Sequence, residues 1–339
     1  MTLRATISTK SRLTPVAFAG ALAGMALLAT VLINGGYFVT VIGFAAIYGI
    51  FCTGLNFFMG YTGQASFGQN AFAALGGYGT AILCAGLGWQ PLIALPVTMV
   101  ISGLIAAAVG YPTLRLRGHY LAMATFALGL ITYELSIEWI DLTHGYLGYA
   151  GIPPLGIGTY ELSSDRQQLL ALVAVLLLGV WIANRLRDSR FGRALRGIAG
   201  SEAAANALGI DIARYKLAAF VIAAVYASVA GSLFAHFIGF ISPEVFGLSM
   251  VTASFTMLYL GGIGTIWGPI IGAVVVSILP EAIRHIAAMV PNAPSNLKDF
   301  QEILYAVLLI LILIFFPKGL AALPGMIARW RETKSEKGA

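Results

Sequence analysis

Six polar side chains crowd one short stretch of an otherwise apolar sequence: Asn56, Thr62, Gln64, Ser66, Gln69 and Asn70, all within Gly54–Phe72. Carboxamides and hydroxyls donate and accept hydrogen bonds without carrying charge. Such groups suit passage of a zwitterionic solute, which a fixed charge would trap. Asn56, Gln64, Ser66, Gln69 and Asn70 are therefore the candidate pathway residues, and Gly60–Phe72 is predicted to bend a helix or to connect two short ones. A second glycine-rich run, Gly261-Gly-Ile-Gly-Thr-Ile-Trp-Gly-Pro269, interrupts a later apolar region. Irregular backbone at membrane depth survives only where it is buried in protein or lines a cavity. Interrupted helices at corresponding places in two halves of a chain point to a transport route. An ordinary cytoplasmic turn is the alternative for each run.

Other chemistry is sparse. Glu134 and Glu138 lie four apart, and Glu281 and Arg284 lie three apart, a spacing that allows a pair on one helix face. No succession of acids crosses the apolar segments as a proton relay would, which weighs against ion coupling. His119, His144, His236 and His285 share no metal-ligand spacing. Cys52 and Cys84 sit inside apolar segments and read as packing residues. The sequence contains no Gly-x-x-x-x-Gly-Lys-Ser/Thr phosphate loop, no His-Glu-x-x-His and no Gly-x-Ser-x-Gly. If transport is active, the nucleotide chemistry belongs to another chain. No cofactor is expected on this one.

The elements that position these groups follow from composition. Of 339 residues, 59% are hydrophobic and 10% charged, against about 25% charged in soluble domains. An integral membrane protein follows. The net charge of +6 sits at segment ends, facing lipid headgroups rather than nucleic acid. Spans need about 20 apolar residues. Ten are placed at roughly 13–33, 39–58, 66–86, 91–111, 119–139, 167–184, 217–238, 249–261, 269–287 and 302–316. The first follows Arg4, Lys10 and Arg12 but is too long for a signal core and reads as a retained span. With the N-terminus inside, seventeen Lys and Arg fall in inside segments and three outside. That bias puts both termini in the cytoplasm. The fold expected is an all-α polytopic bundle, one domain over 1–339 with its membrane core at about 13–320, and a basic tail at 321–339. The 140–166 segment is the longest outside.

Seven of the twenty Lys and Arg lie in the 185–216 segment, the largest surface shown to the cytoplasm. Its Ala-rich, Gly-ended centre predicts a short helix at about Glu202–Leu208. A cytoplasmic partner would grip it there.

Four stretches together resemble the permeases of ATP-binding-cassette importers for branched-chain amino acids, on the LivM-like side of that family. They are Gly54-Leu-Asn56 with Gly60–Phe72; Ser189–Arg196 with Ala203–Gly209 and Arg214-Tyr-Lys216; Leu260–Gly272; and Phe316-Pro-Lys-Gly-Leu320. They cover about residues 40 to 320. Importer permeases often carry Glu-Ala-Ala, three residues and Gly. Aligned on Gly209, Ala203 stands at the Glu position and Glu202 one residue early, and the Ile-x-Leu-Pro that usually follows is absent. The resemblance implies alternating access, with Arg193, Glu202, Ala204 and Gly209 in the ATPase-coupling segment. It also implies a second homologous permease subunit, two cytoplasmic ATPase subunits and an extracytoplasmic solute-binding protein, in a bacterial inner membrane. The solute implied is Leu, Ile or Val, with urea, short amides or aromatic acids as alternatives within the class. A self-sufficient secondary transporter or channel is the competing class, in which a docking helix at 185–216 would be idle.

Overall fold

A computed structural model describes residues 36–157, 160–162, 164–288, 297–316 and 319–322. The span expected at 13–33, the N-terminal cations and Arg329, Arg331, Lys334 and Lys337 of the tail lie outside the described residues. Every apolar segment expected from residue 39 onward is helical. The helices are α1 Gly36–Thr62, α2 Gln69–Ala81 (continued by a π turn, Ile82–Gly86), α3 Pro91–Thr113, α4 His119–Glu138, α5 Asp165–Asp188, α6 Arg190–Gly200, α7 Glu202–Ala207, α8 Ile212–Ile238, α9 Leu248–Gly261, α10 Gly268–Ala288 and α11 Leu297–Phe315. Among the described residues, six helices are long and apolar enough to cross a membrane: 38–62, 91–113, 119–138, 165–188, 212–238 and 243–261. The last combines α9 with the 3-10 turn Pro243–Phe246 before it.

α8 is the central element. It packs against α1, α2 and α3, and Phe220 receives the edges of Phe58 from α1 and Phe72 from α2. Lipid offers no hydrophobic drive for helix association, so close packing and polar contacts must supply it. Small residues permit the approach: a side chain on Gly76 would collide with the Ser228 backbone, and one on Gly231 with that of Ala73. Hydroxyls stitch the same crossing. Thr80 donates to Ser232 at 2.8 Å, Ser232 to the Gly76 carbonyl at 3.0 Å, and Ser102 on α3 to Ser228 at 3.0 Å. Gly76, Gly77, Gly268 and Gly272 each lie against a neighbouring element or turn with no space for a Cβ.

Two local features were not expected. The 140–166 segment carries strands: β1 Tyr149–Ala150 pairs antiparallel with β4 Phe240–Ile241, and β2 Gly156–Ile157 with β3 Tyr160–Glu161. It lies over the end of α8, where His236 Nδ1 meets the Pro153 carbonyl at 2.7 Å. The chain then turns back deeply before α9. The Phe246 ring lies against Gly77 and Tyr78 of α2 and Phe234 of α8. Gly77 in turn faces Gly231, which is seven residues before Ile238, roughly 10 Å down the helix at 1.5 Å per residue. The turn is buried at Phe246 and Gly247, α9 opens with Leu248 and Ser249 exposed, and its 14 residues span roughly 21 Å.

Candidate functional site

The two glycine-rich runs form one junction. α1 continues past its expected end to Thr62, and residues 63–68 are a non-helical connection to α2. The first run thus joins a long helix to a shorter one. Asn56, one and a half turns before the end of α1, reaches across to the second run. Its Oδ1 accepts from the Gly264 amide at 2.8 Å and its Nδ2 donates to the Thr265 carbonyl at 2.7 Å. Thr265 caps α10: its hydroxyl accepts from the Gly268 amide at 2.9 Å and donates to the Gly262 carbonyl at 2.8 Å. Gly319, near the end of the described residues, packs on the Gly261–Gly262 backbone.

The 185–216 segment joins the same junction. Its predicted helix is present as α7, opened by Ser201, whose hydroxyl accepts from the Ala204 amide at 3.2 Å. It ends through Leu208 into Gly209 at φ +78°, the left-handed position that favours glycine after a helix. Glu202 Oε1 accepts from Lys216 Nζ at 2.6 Å and from Gln64 Nε2 at 3.1 Å. One carboxylate therefore ties α7 to the start of α8 and to the connection after α1. The Lys216 side chain is 5% exposed; a buried ammonium needs such a partner. Arg193, Ala204 and Gly209 are exposed. Arg193 Nη1 donates to the Asp188 carbonyl at the end of α5, 2.7 Å away. Sequence reasoning missed α6, although Ser189 followed by Phe191, Ala194, Leu195 and Ile198 is a capped helix with one apolar face. Ser189 accepts from the Gly192 amide at 3.4 Å, and Leu195 and Ile198 are buried.

The candidate pathway residues divide into two groups. Asn56 and Gln64 hold the junction together as described. Ser66, Gln69 and Asn70 are buried yet keep polar atoms without a partner: Ser66 Oγ, both amide atoms of Gln69, and Asn70 Oδ1. Asn70 Nδ2 donates to the Phe246 carbonyl at 2.8 Å, which holds the turn before α9. Phe67 is anchored by its amide, which donates to Thr125 Oγ1 of α4 at 3.1 Å. Its ring stacks on Phe255 of α9 at 4.4 Å and meets the edge of Phe126 of α4 at 6.5 Å. Between α4 and the start of α9 lies a cavity of about 300 Å³, lined by Phe67, Asn70, Phe126, Gly129, Tyr133, Glu244 and Ser249 among others. Glu244 and Gly129 carry no motif that sequence reasoning uses. Elsewhere Glu281 and Arg284 approach to 3.6 Å, as their spacing allows, and Glu134 and Glu138 are exposed.

A family described as the branched-chain amino acid transport system / permease component matches residues 37–314. The chain belongs to this family. LivM, the high-affinity branched-chain amino acid transport system permease protein of Salmonella typhimurium, is 32% identical over 297 residues, covering 81% of this chain and 67% of the relative. The corresponding permease protein LivH of Escherichia coli is 28% identical over 297 residues, covering 82% of this chain and 92% of the relative. Among solved structures, a chain of PsaBC from Streptococcus pneumoniae in complex with Fab covers 88% of this chain and 96% of its own length at 17% identity, with a TM-score of 0.41. The family match takes in the junction from Asn56 to Thr265, together with α6, α7 and the cavity, and stops before Gly319.

Proposed function

We propose that this chain is a membrane-spanning permease subunit of an ATP-driven importer that carries Leu, Ile and Val into the cytoplasm. The observation that carries the reading is the Glu202 carboxylate, held from α8 by Lys216 and from the α1–α2 connection by Gln64. Movement of α7 by a cytoplasmic ATPase would pull directly on the polar connection and, through Asn56, on the second run. The subunit forms a single domain of ten spans with both termini cytoplasmic, seated in a bacterial inner membrane. Arg193, Glu202, Ala204 and Gly209 belong to the face that meets the ATPase. A second homologous permease completes the pathway, two ATPase subunits hydrolyse ATP, and an extracytoplasmic binding protein delivers the solute. The names of the relatives, permease proteins LivM and LivH, support the solute class and the pairing.

The test is uptake of radiolabelled leucine by proteoliposomes holding the assembled importer, with loaded binding protein outside and ATP inside. ATP-dependent accumulation is expected. Accumulation of urea or an aromatic acid in place of leucine would refute the solute. Accumulation that persists with hydrolysis-dead ATPase subunits would refute the coupling and favour a secondary transporter.

A further inference from the structure

Four cations, Arg115, Arg117, Arg214 and Lys216, line a second cavity of about 480 Å³. It lies where two candidate spans end, between the foot of α3, the turn after it and the α7–α8 junction. Glu202 is the acid on its wall, and that carboxylate is already paired with Lys216 at 2.6 Å. Arg214 is paired with Asp211 at 2.9 Å. Arg115 and Arg117 have no acidic partner among the described residues. Two guanidiniums at this cavity therefore carry charge that no carboxylate balances.

Both arginines stand on a fixed turn. The Arg115 amide donates to the Pro112 carbonyl at 3.3 Å, and the Leu116 amide to the Thr113 carbonyl at 3.0 Å. The Arg115 guanidinium lies 4.8 Å from the centre of the Tyr111 ring. That contact uses the face of the planar group and leaves its N–H donors at the edge. An apolar track leads to the same place. Val100, Leu104, Ala108 and Tyr111 are exposed on α3, and their spacing of four, four and three puts them on one helix face. The stripe runs along the span and ends at the cavity, where Tyr111 and Leu114 are part of the wall. Basic pockets between transmembrane helices bind anionic lipid headgroups, and Arg forms paired hydrogen bonds with phosphate oxygens.

We infer that this cavity holds the headgroup of an anionic phospholipid, a phosphodiester such as that of phosphatidylglycerol, with an acyl chain along the Val100–Tyr111 stripe. Arg115 and Arg117 donate to the phosphate oxygens. Lys216, buried and held by Glu202, adds positive potential from the α8 side. A free phosphate would use the cations and leave the stripe unused. An acidic side chain of a cytoplasmic protein would meet the arginines but could not follow a stripe that runs along a span. The site is independent of the solute carried and of which side of the membrane the cavity faces.

The experiment is native mass spectrometry of the full-length chain in detergent, titrated with dioleoylphosphatidylglycerol or dioleoylphosphatidylcholine. One phosphatidylglycerol should bind ahead of any other lipid. A cation beside an anionic headgroup is worth about fivefold in affinity, so Arg115→Gln with Arg117→Gln should weaken that first lipid about thirtyfold. Phosphatidylcholine binding should not change. Both positions are exposed and neither leaves a carboxylate unpaired, so the fold should survive. Equal affinity of the wild type for the two lipids overturns the site, as does wild-type phosphatidylglycerol binding by the double variant. Displacement of the lipid by an equal concentration of inorganic phosphate would mark a free-phosphate site and overturn the lipid assignment. Unchanged lipid binding with loss of the ATPase subunits from the assembled importer would assign the two cations to an acidic protein surface instead. If the double variant does not fold, the wild type decides. A preference for phosphatidylglycerol that falls as ionic strength rises supports the site, and one that does not overturns it.

Discussion

Asn56→Ala removes both hydrogen bonds that join the two glycine-rich runs, to the Gly264 amide and the Thr265 carbonyl. A backbone group left unsatisfied in a protein interior costs about 1–3 kcal/mol. Interhelical hydrogen bonds measured within membranes average about 0.6 kcal/mol, with a maximum near 1.7. The lower scale governs here, because Gly264 and Thr265 are only half-buried and water can replace part of what is lost. Two bonds then give a destabilisation of about 1–3 kcal/mol. For a chain of this size that is a fall of a few degrees in Tm, about 2 °C per kcal/mol. Asn56→Asp keeps the acceptor for Gly264 but loses the donor and places a carboxylate against the Thr265 carbonyl, so it should fall further. The assay is thermal unfolding of the purified subunit in detergent, with cysteine accessibility at Thr265→Cys as the local readout. An Asn56→Ala protein with wild-type Tm and unchanged labelling at residue 265 would refute the claim that this side chain holds the junction.

Glu202→Ala leaves Lys216 buried without its counter-charge and should lower stability by about 1–3 kcal/mol, less than a fully buried pair because Glu202 is partly exposed. Adding Lys216→Met should recover most of the loss in the same melt, and failure to recover would show that the charge pair is not the cause. Gly209→Val forces a β-branched residue to φ +78°, a strain of about 1–3 kcal/mol. It should leave membrane insertion intact while uncoupling ATP hydrolysis from uptake, and unchanged hydrolysis and uptake would count against the docking role of α7. Leu208 is 81% exposed at the end of α7. Leu208→Cys should react with an impermeant thiol reagent from the cytoplasmic side and be shielded in the assembled importer. Labelling from the periplasm would overturn the topology.

The helical segments were legible because apolar length alone marks them. The stop at Gly209 was legible for the same local reason, since it depends on neighbours within four residues. The partners of Asn56 and Gln64 were not. Their contacts lie 209 and 138 residues away, and nothing in a polar residue's own surroundings says which distant backbone it will meet. The five candidate pathway residues share polarity and nothing else that sequence displays. The structure separates them by whether a partner is already present. α9 read as a short span, and the buried turn that precedes it, pinned by Phe246 against Gly77, has no local signature.

The Asn56 contacts also set a timetable for biogenesis. The Gly264 amide it accepts from lies 208 residues downstream. At about 5–20 residues per second of synthesis, Asn56 waits roughly 10–40 s in the bilayer before that backbone emerges. During that interval its carboxamide, with those of Gln64 and Asn70, lacks its native partner, a cost in hydrocarbon that membrane quality control would read. Chains halted before residue 261 should accordingly be cleared faster in a pulse–chase than chains halted after residue 272, and equal lifetimes would show that the junction is not what surveillance reads.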